Sequence, residues 1–340
     1  MKHKVTIRDL AKAAGVSVTT VSQILNGKGQ RFSQATQQRV LELRDQMNYV
    51  PDFNARNLIM RSSKTIGVLV PNIGNPFFST FIRGVQEAAR QAEFMPLIFS
   101  ANHEEKLERY YLGRLIERAV DGLIIASSSI TTDTIEQLLK PNDIPYLLFD
   151  QNEANGGDRL LIDDYQGGYL AAEHLAGLGH QHVVSIMPEN MTAENMTDNL
   201  NHRLRGLIDG LRKHHVDFND QTDVIYGELT KHGGYSCTKG VLEKHPTAVF
   251  AANDEMAIGL YRGLAENGVS VPDDISVVGF DDIDLAEYVT PKLTTIQQPI
   301  REIGEQATEM LFNRIKNPDA AIQTSYFGVK LVVRDSTKQA

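Results

Sequence analysis

The sequence lacks the features of membrane, secreted and disulfide-stabilised proteins. Its 340 residues contain no run of about 18 apolar residues, and the N-terminal segment MKHKVTIRDL has no apolar stretch like that of a signal peptide. Cys237 is the only cysteine, so one chain can form neither a disulfide nor a thiolate metal cage. We therefore expect a cytoplasmic protein without membrane contact, metal or cofactor.

Motifs of cofactor-dependent and metal-dependent enzymes are also missing. The sequence has no GxGxxG dinucleotide loop, no GxxxxGK[ST] phosphate loop and no HExxH helix. His174, His180 and His182 are close in sequence, but their spacing fits no single helix face, so we expect surface residues rather than metal ligands. These absences disfavour a sugar-processing enzyme, and we expect no catalytic activity.

What is present is a folded chain with an uneven distribution of charge. Its length exceeds what one hydrophobic core usually supports, and its 41% hydrophobic and 23% charged residues are typical of globular proteins. The net charge is −9, but residues 1–62 hold ten Lys or Arg against four Asp or Glu, which leaves +6 there and −15 on residues 63–340. DNA binding relies on neutralising phosphate charge, so this division predicts that only a basic head, residues 1–62, meets nucleic acid.

Helix signals in the head predict a helix-turn-helix unit. Thr6, Ser17 and Ser33 are good N-caps for three helices; Gly15 suits the end of the first, and the third extends to about Met47. In such a unit the second helix enters the major groove. Its exposed candidates for DNA contact are Val18, Thr19, Thr20, Ser22 and Gln23, with a thymine methyl as a partner for Val18.

The segment after the head predicts a marginal helix. Pro51 restricts Val50 to an extended conformation, and Ala55, Leu58 and Ile59 then share one short helical face. A helix this short is unstable alone, so we expect it to order when paired with its twin on DNA. A plain linker is the alternative interpretation.

The body, residues 63–340, alternates apolar runs with amphipathic stretches, which predicts βα units. Seven runs, from TIGVLVP to SVVGFDD, fall into two groups divided near Gly156 to Asp163, so we expect two doubly wound parallel-sheet subdomains. Ligands of such sheets bind beyond the carboxyl ends of the strands. Polar residues lie at four of these ends: Asn75, Asp150, Asn253-Asp254 and Asp281-Asp282. We expect Asn253 to face the cleft, Asp254 to cap the following helix and Asp282 to be structural.

Several strings resemble the lactose-repressor/galactose-repressor (LacI/GalR) family of bacterial transcription regulators. TIRDLAKAAGVSVTTVSQILNGK resembles the DNA-binding head of that family, NYVPDFNARNL its hinge, and NPFF, RLRGL, AANDEMAIG, DISVVGFDD and PKLTTIQQP its sugar-binding core. The resemblance implies an all-α helix-turn-helix head (1–50), a hinge helix (51–62) and an α/β body of periplasmic-binding-protein type. One subdomain would comprise 63–161 and 297–322, the other 162–296 and 323–340.

For the head, the resemblance implies base contacts from Val18 and Thr19, a phosphate contact from Ser22 and a minor-groove wedge from Leu58. Further DNA contacts are implied at Thr6, Ser17, Thr20, Gln23, Asn26, Asn54 and Ala55. Gln23 stands where the family commonly has Arg, and Gln favours adenine where Arg favours guanine. Asp52, where Asn is usual, places an acid near DNA.

For the body, the resemblance implies a sugar effector held by Asn75, Phe77, Phe78, Asp150, Arg203, Asn253, Asp281 and Gln298. Carboxylate, amide and guanidinium groups bind sugar hydroxyls bidentately, and aromatic rings cover the apolar face of a sugar. The set is similar to a ribose pattern in which two phenylalanines sandwich the pentose, although Gln151 replaces the usual Arg. Sucrose, fructose or another hexose stays open.

The function that the resemblance implies is a sugar-responsive repressor of a carbohydrate-utilisation operon. It would bind a palindromic double-stranded DNA operator as a homodimer, with an interface that includes the first body helix and the loop near Tyr288 to Leu293. The alternative is a catabolite-control-type regulator that uses a phosphorylated carrier protein as corepressor.

Overall fold

A computed structural model describes residues 5–50, 62–102, 104–126, 132–150, 156–189 and 198–340. The chain divides into two compact units, Met1–Ser63 and Lys64–Ala340. Within the described residues, no helix combines the length and the apolar character that crossing a bilayer requires.

The first unit is the predicted three-helix head, with α1 (Ile7–Ala14), α2 (Val18–Leu25) and α3 (Gln34–Gln46). The three predicted N-caps are confirmed: Thr6, Ser17 and Ser33 each accept a backbone N–H from the first turn of the following helix. Gly15 ends α1 in the left-handed conformation, at φ 67°. The buried core of the head consists of Leu10, Ala11, Ala14, Val21, Ile24, Val40 and Tyr49.

The second unit contains two sheets, and each is wound in the same order. The strands are β1 (Thr65–Val70), β2 (Met95–Ser100), β3 (Gly122–Ile125), β4 (Tyr146–Phe149), β5 (Asp158–Ile162), β6 (Val183–Pro188), β7 (Val224–Gly227), β8 (Ala248–Ala251), β9 (Ser276–Asp281), β10 (Thr294–Gln297), β11 (Thr324–Phe327) and β12 (Lys330–Val332). The first sheet runs β11-β5-β4-β3-β1-β2 and the second β12-β10-β9-β8-β6-β7. Among the described strands, every pairing is parallel except that of β12 with β10, which is antiparallel.

This strand order confirms the two predicted doubly wound subdomains, here called the first lobe and the second lobe after their sheets. In each, the first strand lies between the second and the third, so the winding reverses at β1 and at β6. Such switch points are where open α/β sheets bind ligands, outside the carboxyl ends of their strands.

The predicted boundaries of the lobes need four corrections. Ile162 ends β5 in the first sheet, although residue 162 is predicted to begin the second lobe. β5 lies within the 156–163 stretch that we expected to interrupt the strands, because it begins with the polar pair Asp158-Arg159 and looks like a loop in sequence. β11 pairs with β5 in the first sheet, although residues 323–340 were assigned to the second lobe. Gln297 ends β10 in the second sheet, although residue 297 was assigned to the first lobe. Short edge strands such as β11 have no buried apolar pattern from which the sheet they join could be predicted.

Helices cover the sheets and position the residues at the strand ends. They are α4 (Pro76–Gln91), α5 (Glu105–Glu117), α6 (Asp164–Gly177), α7 (Asp198–Lys213), α8 (Lys231–Ser236), α9 (Thr238–Lys244), α10 (Asp254–Glu266) and α11 (Ile300–Lys316), with helical turns at Thr132–Thr134, Ile135–Leu139, Lys140–Asn142 and Asp284–Glu287.

Helices α6 and α7 cross at a pair of glycines. A Cβ atom on Gly168 would lie 1.9 Å from the carbonyl oxygen of Arg203, and one on Gly206 would lie 2.0 Å from that of Tyr165. Only glycine permits this approach of the two backbones. The crossing therefore fixes where α7 presents Arg203.

Candidate DNA-binding surface and effector cleft

Helix α2 has one buried face and one exposed face. Val21 and Ile24 pack in the head core, whereas Val18 is 41% exposed and Thr19 is also exposed. Thr20, Ser22, Gln23 and Asn26 are half-buried at the edges of this exposed face. The arrangement leaves Val18 and Thr19 accessible to a groove, and their base contacts remain predictions.

The hydroxyls of the two capping residues are already engaged within the head. Thr6 donates from Oγ1 to Oδ2 of Asp9 at 2.7 Å, and the hydroxyls of Ser17 and Thr20 lie 2.9 Å apart. These bonds hold the starts of α1 and α2. Asn54, Ala55 and Leu58, like Asp52 and Gln151, lie outside the described residues.

In the body, five of the eight predicted effector residues lie at or after the carboxyl ends of strands from both sheets, whereas Phe77 and Phe78 lie on α4 and Arg203 on α7. Asn75 follows β1 and caps α4, and Asp150 follows β4. Asn253 follows β8, Asp281 ends β9, and Gln298 follows β10. Asn75 and Asn253 therefore flank the two switch points where the fold predicts a ligand.

Arg203 is the centre of a buried polar cluster in the second lobe. Its Nε and Nη2 both donate to Oδ1 of Asp164, at 3.0 and 2.6 Å, and its Nη1 donates to the carbonyl oxygen of Ala252. The guanidinium carbon lies 3.4 Å from the ring centroid of Phe280. Ion pair, backbone bond and cation–π contact together hold the guanidinium plane in one orientation.

Asp281 and Gln298 form the second part of this cluster. Gln298 donates from Nε2 to Oδ1 of Asp281 at 2.6 Å, and both residues are buried. Burial raises the pKa of Asp281 to about 7, against the opposing effects of Arg203 and of the Gln298 amide. The Oε1 atom of Gln298 is buried and has no hydrogen-bond partner among the described residues. An unsatisfied buried acceptor is costly, and a hydroxyl donor would satisfy it.

The N-cap of α10 is Asn253, although we expected Asp254 in that role. Asn253 caps α10, because its Oδ1 accepts the Met256 N–H at 2.9 Å. Asp254 is fully buried instead, and it accepts from the Ile283 N–H at 2.8 Å and from the Thr295 hydroxyl. Burial raises the pKa of Asp254 well above its usual value. The amide nitrogen of Asn253 stays available for the predicted effector contact.

The two phenylalanines do not form a sandwich between themselves. The rings of Phe77 and Phe78 meet edge to face at an angle of 82°, with centroids 5.0 Å apart. Phe77 is buried in the core of the first lobe and stacks on Phe149 at 6.1 Å, whereas Phe78 is half-buried. The expectation that a pentose lies between the Phe77 and Phe78 rings is therefore wrong for this conformation, because the Phe77 ring is packed in the hydrophobic core.

Asn199 contacts a predicted effector residue, although no role was expected for it from the sequence. It lies on α7 in the second lobe, and its Nδ2 donates to Oδ2 of Asp150, which follows β4 in the first lobe. The signal that would have found it is its position four residues before Arg203, which puts the two on one helix face.

Two further expectations concern residues outside the cleft. Asp282 is structural as predicted, since it pairs with Arg334 at 2.7 Å. His180 is buried rather than at the surface, with its two ring nitrogens 3.0 Å from the Thr247 hydroxyl and 3.1 Å from the Lys338 carbonyl oxygen. Among the described residues, no group of His, Cys, Asp or Glu is arranged to hold a metal ion.

Comparisons with known proteins match both units. Residues 6–52 match the lacI family of bacterial regulatory proteins, and residues 172–337 match the periplasmic binding protein-like domain. The HTH-type transcriptional repressor PurR of Vibrio parahaemolyticus is 34% identical, over 98% of this chain and 99% of its own length. A LacI family transcriptional regulator from Enterococcus faecium, solved with bound ribose, is 40% identical over 81% of this chain and 99% of its own, with a TM-score of 0.76.

A third comparison covers almost the full length of the fold. The lac repressor dimer bound to operator and the anti-inducer ONPF is 26% identical, with a TM-score of 0.86, over 99% of this chain and 100% of that one. The chain therefore belongs to the LacI family of bacterial regulatory proteins and is a ligand-responsive, DNA-binding transcriptional repressor.

Proposed function

We propose that this repressor controls a carbohydrate-utilisation operon and that its effector is ribose. The observation that carries the proposal is the buried pair of Asp281 and Gln298 beside Arg203. It offers a carboxylate, an unsatisfied amide oxygen and a guanidinium at the strand ends. Adjacent hydroxyls of a pentose supply matching donors and acceptors.

The related regulator from Enterococcus faecium supports a pentose, since it was solved with ribose and shares 40% of its residues with this chain. In our proposal Asn75, Asp150 and Asn253 contact further hydroxyls. Phe78 covers an apolar face of the ring, and Phe77 supports it from the core. A purine is the rival ligand that the name of the PurR relatives raises.

Calorimetric titration of the full chain with ribose, fructose, sucrose and adenine tests the proposal. We expect ribose to bind with the lowest Kd. Ribose at about 100 times that Kd should add about 2.7 kcal/mol to stability in a thermal-shift assay.

Gln298→Met removes the amide and should raise the Kd for ribose at least about tenfold. Gln306→Met, on α11, is the control. Tighter binding of adenine or of a hexose than of ribose contradicts the ribose assignment.

On DNA, we propose that a homodimer places two heads on a palindromic operator, with Val18, Thr19 and Ser22 of α2 in each half-site. Tyr288, which is 74% exposed, suits the dimer interface expected near Tyr288 to Leu293. Differential affinity of ribose for two arrangements of the lobes would change operator affinity.

Gel-shift titration of an operator with and without ribose tests the regulation. A shift in operator affinity on adding ribose supports it. Specific DNA binding that no small molecule alters would favour the alternative, a phosphorylated carrier protein as corepressor.

A further inference from the structure

A loop residue reaches back to the exposed end of α2. Arg31 donates a hydrogen bond from Nη2 to Oε1 of Gln23, across a separation of eight residues. Gln23 lies one helical turn after Thr19, so both belong to the same exposed edge of α2. Arg31 is exposed, and it adds a guanidinium to that edge which α2 itself does not carry.

The loop that carries Arg31 is fixed by backbone bonds. Lys28 donates its N–H to the carbonyl oxygen of Gln23, and Phe32 donates its N–H to that of Gly29, each at 2.8 Å. Gln37 on α3 donates from Nε2 to the carbonyl oxygen of Phe32 at 2.9 Å. These hydrogen bonds hold the backbone of the loop in one conformation and thereby position Arg31.

A neighbouring aromatic ring supports the guanidinium itself. Phe32 packs against the head core, and the Arg31 guanidinium carbon lies 5.0 Å from the centroid of its ring. A cation over an aromatic face is held in place without losing its outward N–H groups. Arg31 is thus supported from the protein side and open on the other.

The contact also fixes which way the Gln23 amide points. A guanidinium carries five donors and no acceptor, so only the amide oxygen of Gln23 can face Arg31. The amide nitrogen of Gln23 is then turned away from Arg31. Together the two side chains present N–H donors outward.

We infer that Gln23 and Arg31 act as one specificity-determining unit that selects guanine in each operator half-site; this inference rests on the proposed operator binding. Guanine presents two acceptors, N7 and O6, in the major groove, whereas adenine presents one acceptor and one donor. A surface of donors matches guanine and leaves the adenine amino group opposite another donor. The inference replaces the expectation that Gln23, taken alone, favours adenine.

Selection from duplex DNA tests the inference with the full chain. The probe is a duplex pool with a randomised stretch of about 20 base pairs, long enough for two half-sites one helical turn apart. Each base pair of the selected operator is then substituted in turn, and binding is measured for the wild type, Gln23→Ala, Arg31→Ala and the double variant. For the wild type we expect one guanine in each half-site, at symmetry-related positions. Replacing this guanine by adenine should weaken binding at least about tenfold.

Arg31→Ala should lose that discrimination while preferences at all other positions persist, and Gln23→Ala should lose it at the same position. The double variant should discriminate no less than either single variant, because the two side chains act together. Lys28→Ala is the matched control, since it removes one positive charge from the same loop and should weaken all sequences alike.

Three outcomes would overturn the inference. They are a uniform loss of affinity with Arg31→Ala, effects of the two variants at different base pairs, and wild-type preference for adenine at the shared position. If the wild type selects no sequence at all, the proposed operator binding itself fails. Circular dichroism of each variant confirms that the head remains helical.

Discussion

Asn199 of the second lobe donates a hydrogen bond to the Asp150 carboxylate of the first lobe. Arg203 stands one helical turn further along the same face of α7, where it anchors the buried polar cluster. Helix α7 therefore carries both a contact across the cleft and the centre of the proposed effector site. Effector binding at Arg203 can therefore change the relative position of the lobes, because one turn of α7 connects Arg203 to the bond between the lobes.

Asn199→Ala removes the bond across the cleft and should weaken ribose binding. We expect an increase in Kd of roughly tenfold, the equivalent of one hydrogen bond to a charged group. Calorimetric titration with ribose measures it. Asn201→Ala, two residues further along α7 and on a different helix face, serves as the control and should leave the Kd within about threefold. Equal Kd values for the wild type and Asn199→Ala would show that the bond has no part in effector binding.

The buried ion pair of Asp164 and Arg203 predicts a large effect of removing one charge. Asp164→Asn removes the carboxylate that accepts two hydrogen bonds from the guanidinium, and the free energy of unfolding should fall by about 3 kcal/mol. Urea unfolding measures it. Asp163→Asn is the matched control: Asp163 is the N-cap of α6, and Asn caps as well as Asp, so a change within about 0.5 kcal/mol is expected. Similar stability of the two variants would mean that Arg203 finds another partner.

Asp281 makes stability depend on pH. Because its pKa is about 7 in the folded chain, against 3.8 for an ordinary aspartate, the folded state holds a proton that the unfolded chain has released between about pH 4 and 7. The contribution of Asp281 to the free energy of unfolding therefore decreases as the pH rises through that window. Asp281→Asn stays neutral, so at pH 8 it should be more stable than the wild type by roughly 2–4 kcal/mol.

The measurement is urea unfolding of the wild type and Asp281→Asn at several pH values from 5 to about 8. The two curves should converge toward the acid end. A constant difference across the range would contradict a raised pKa for Asp281. The same variant should bind ribose less tightly, because its amide keeps one acceptor oxygen and replaces the other by an NH2 group that only donates.

The sequence predicted the residues whose role is local and failed where the role depends on distant partners. Thr6, Ser17 and Ser33 were recognised as caps because a cap is decided within four residues of chain. The prediction that Asp254 is a cap is wrong, because its partners are remote in sequence: Ile283 follows β9, and Thr295 lies in β10. Only the folded second sheet brings those groups to the start of α10.

The same limit explains the errors at the phenylalanines and at β11. NPFF marks a site, but which ring enters the core depends on Phe149, which lies two strands away in the sheet. β11 is short and largely polar, so nothing in its own residues tells which lobe it joins. Residues at strand ends were predicted because their position follows from the βα repeat alone.

The glycine crossing of α6 and α7 links packing to the effector site. Alanine at Gly168 would bring Cβ within 1.9 Å of the Arg203 carbonyl oxygen and 2.9 Å of the Leu207 nitrogen, so the helices must separate. Both clashes are with backbone, which cannot rotate away, and we expect a loss of about 3 kcal/mol in the free energy of unfolding.

Separation of the helices also displaces Arg203, so Gly168→Ala should weaken ribose binding beyond its effect on stability. Gly177→Ala is the control: it lies on the same helix with open space around the added methyl, and it should be neutral or up to about 1 kcal/mol more stable. Urea unfolding and ribose titration of both variants measure the two effects. If Gly168→Ala lowered stability but bound ribose with the wild-type Kd, the crossing would serve packing alone and Arg203 would not be positioned by it.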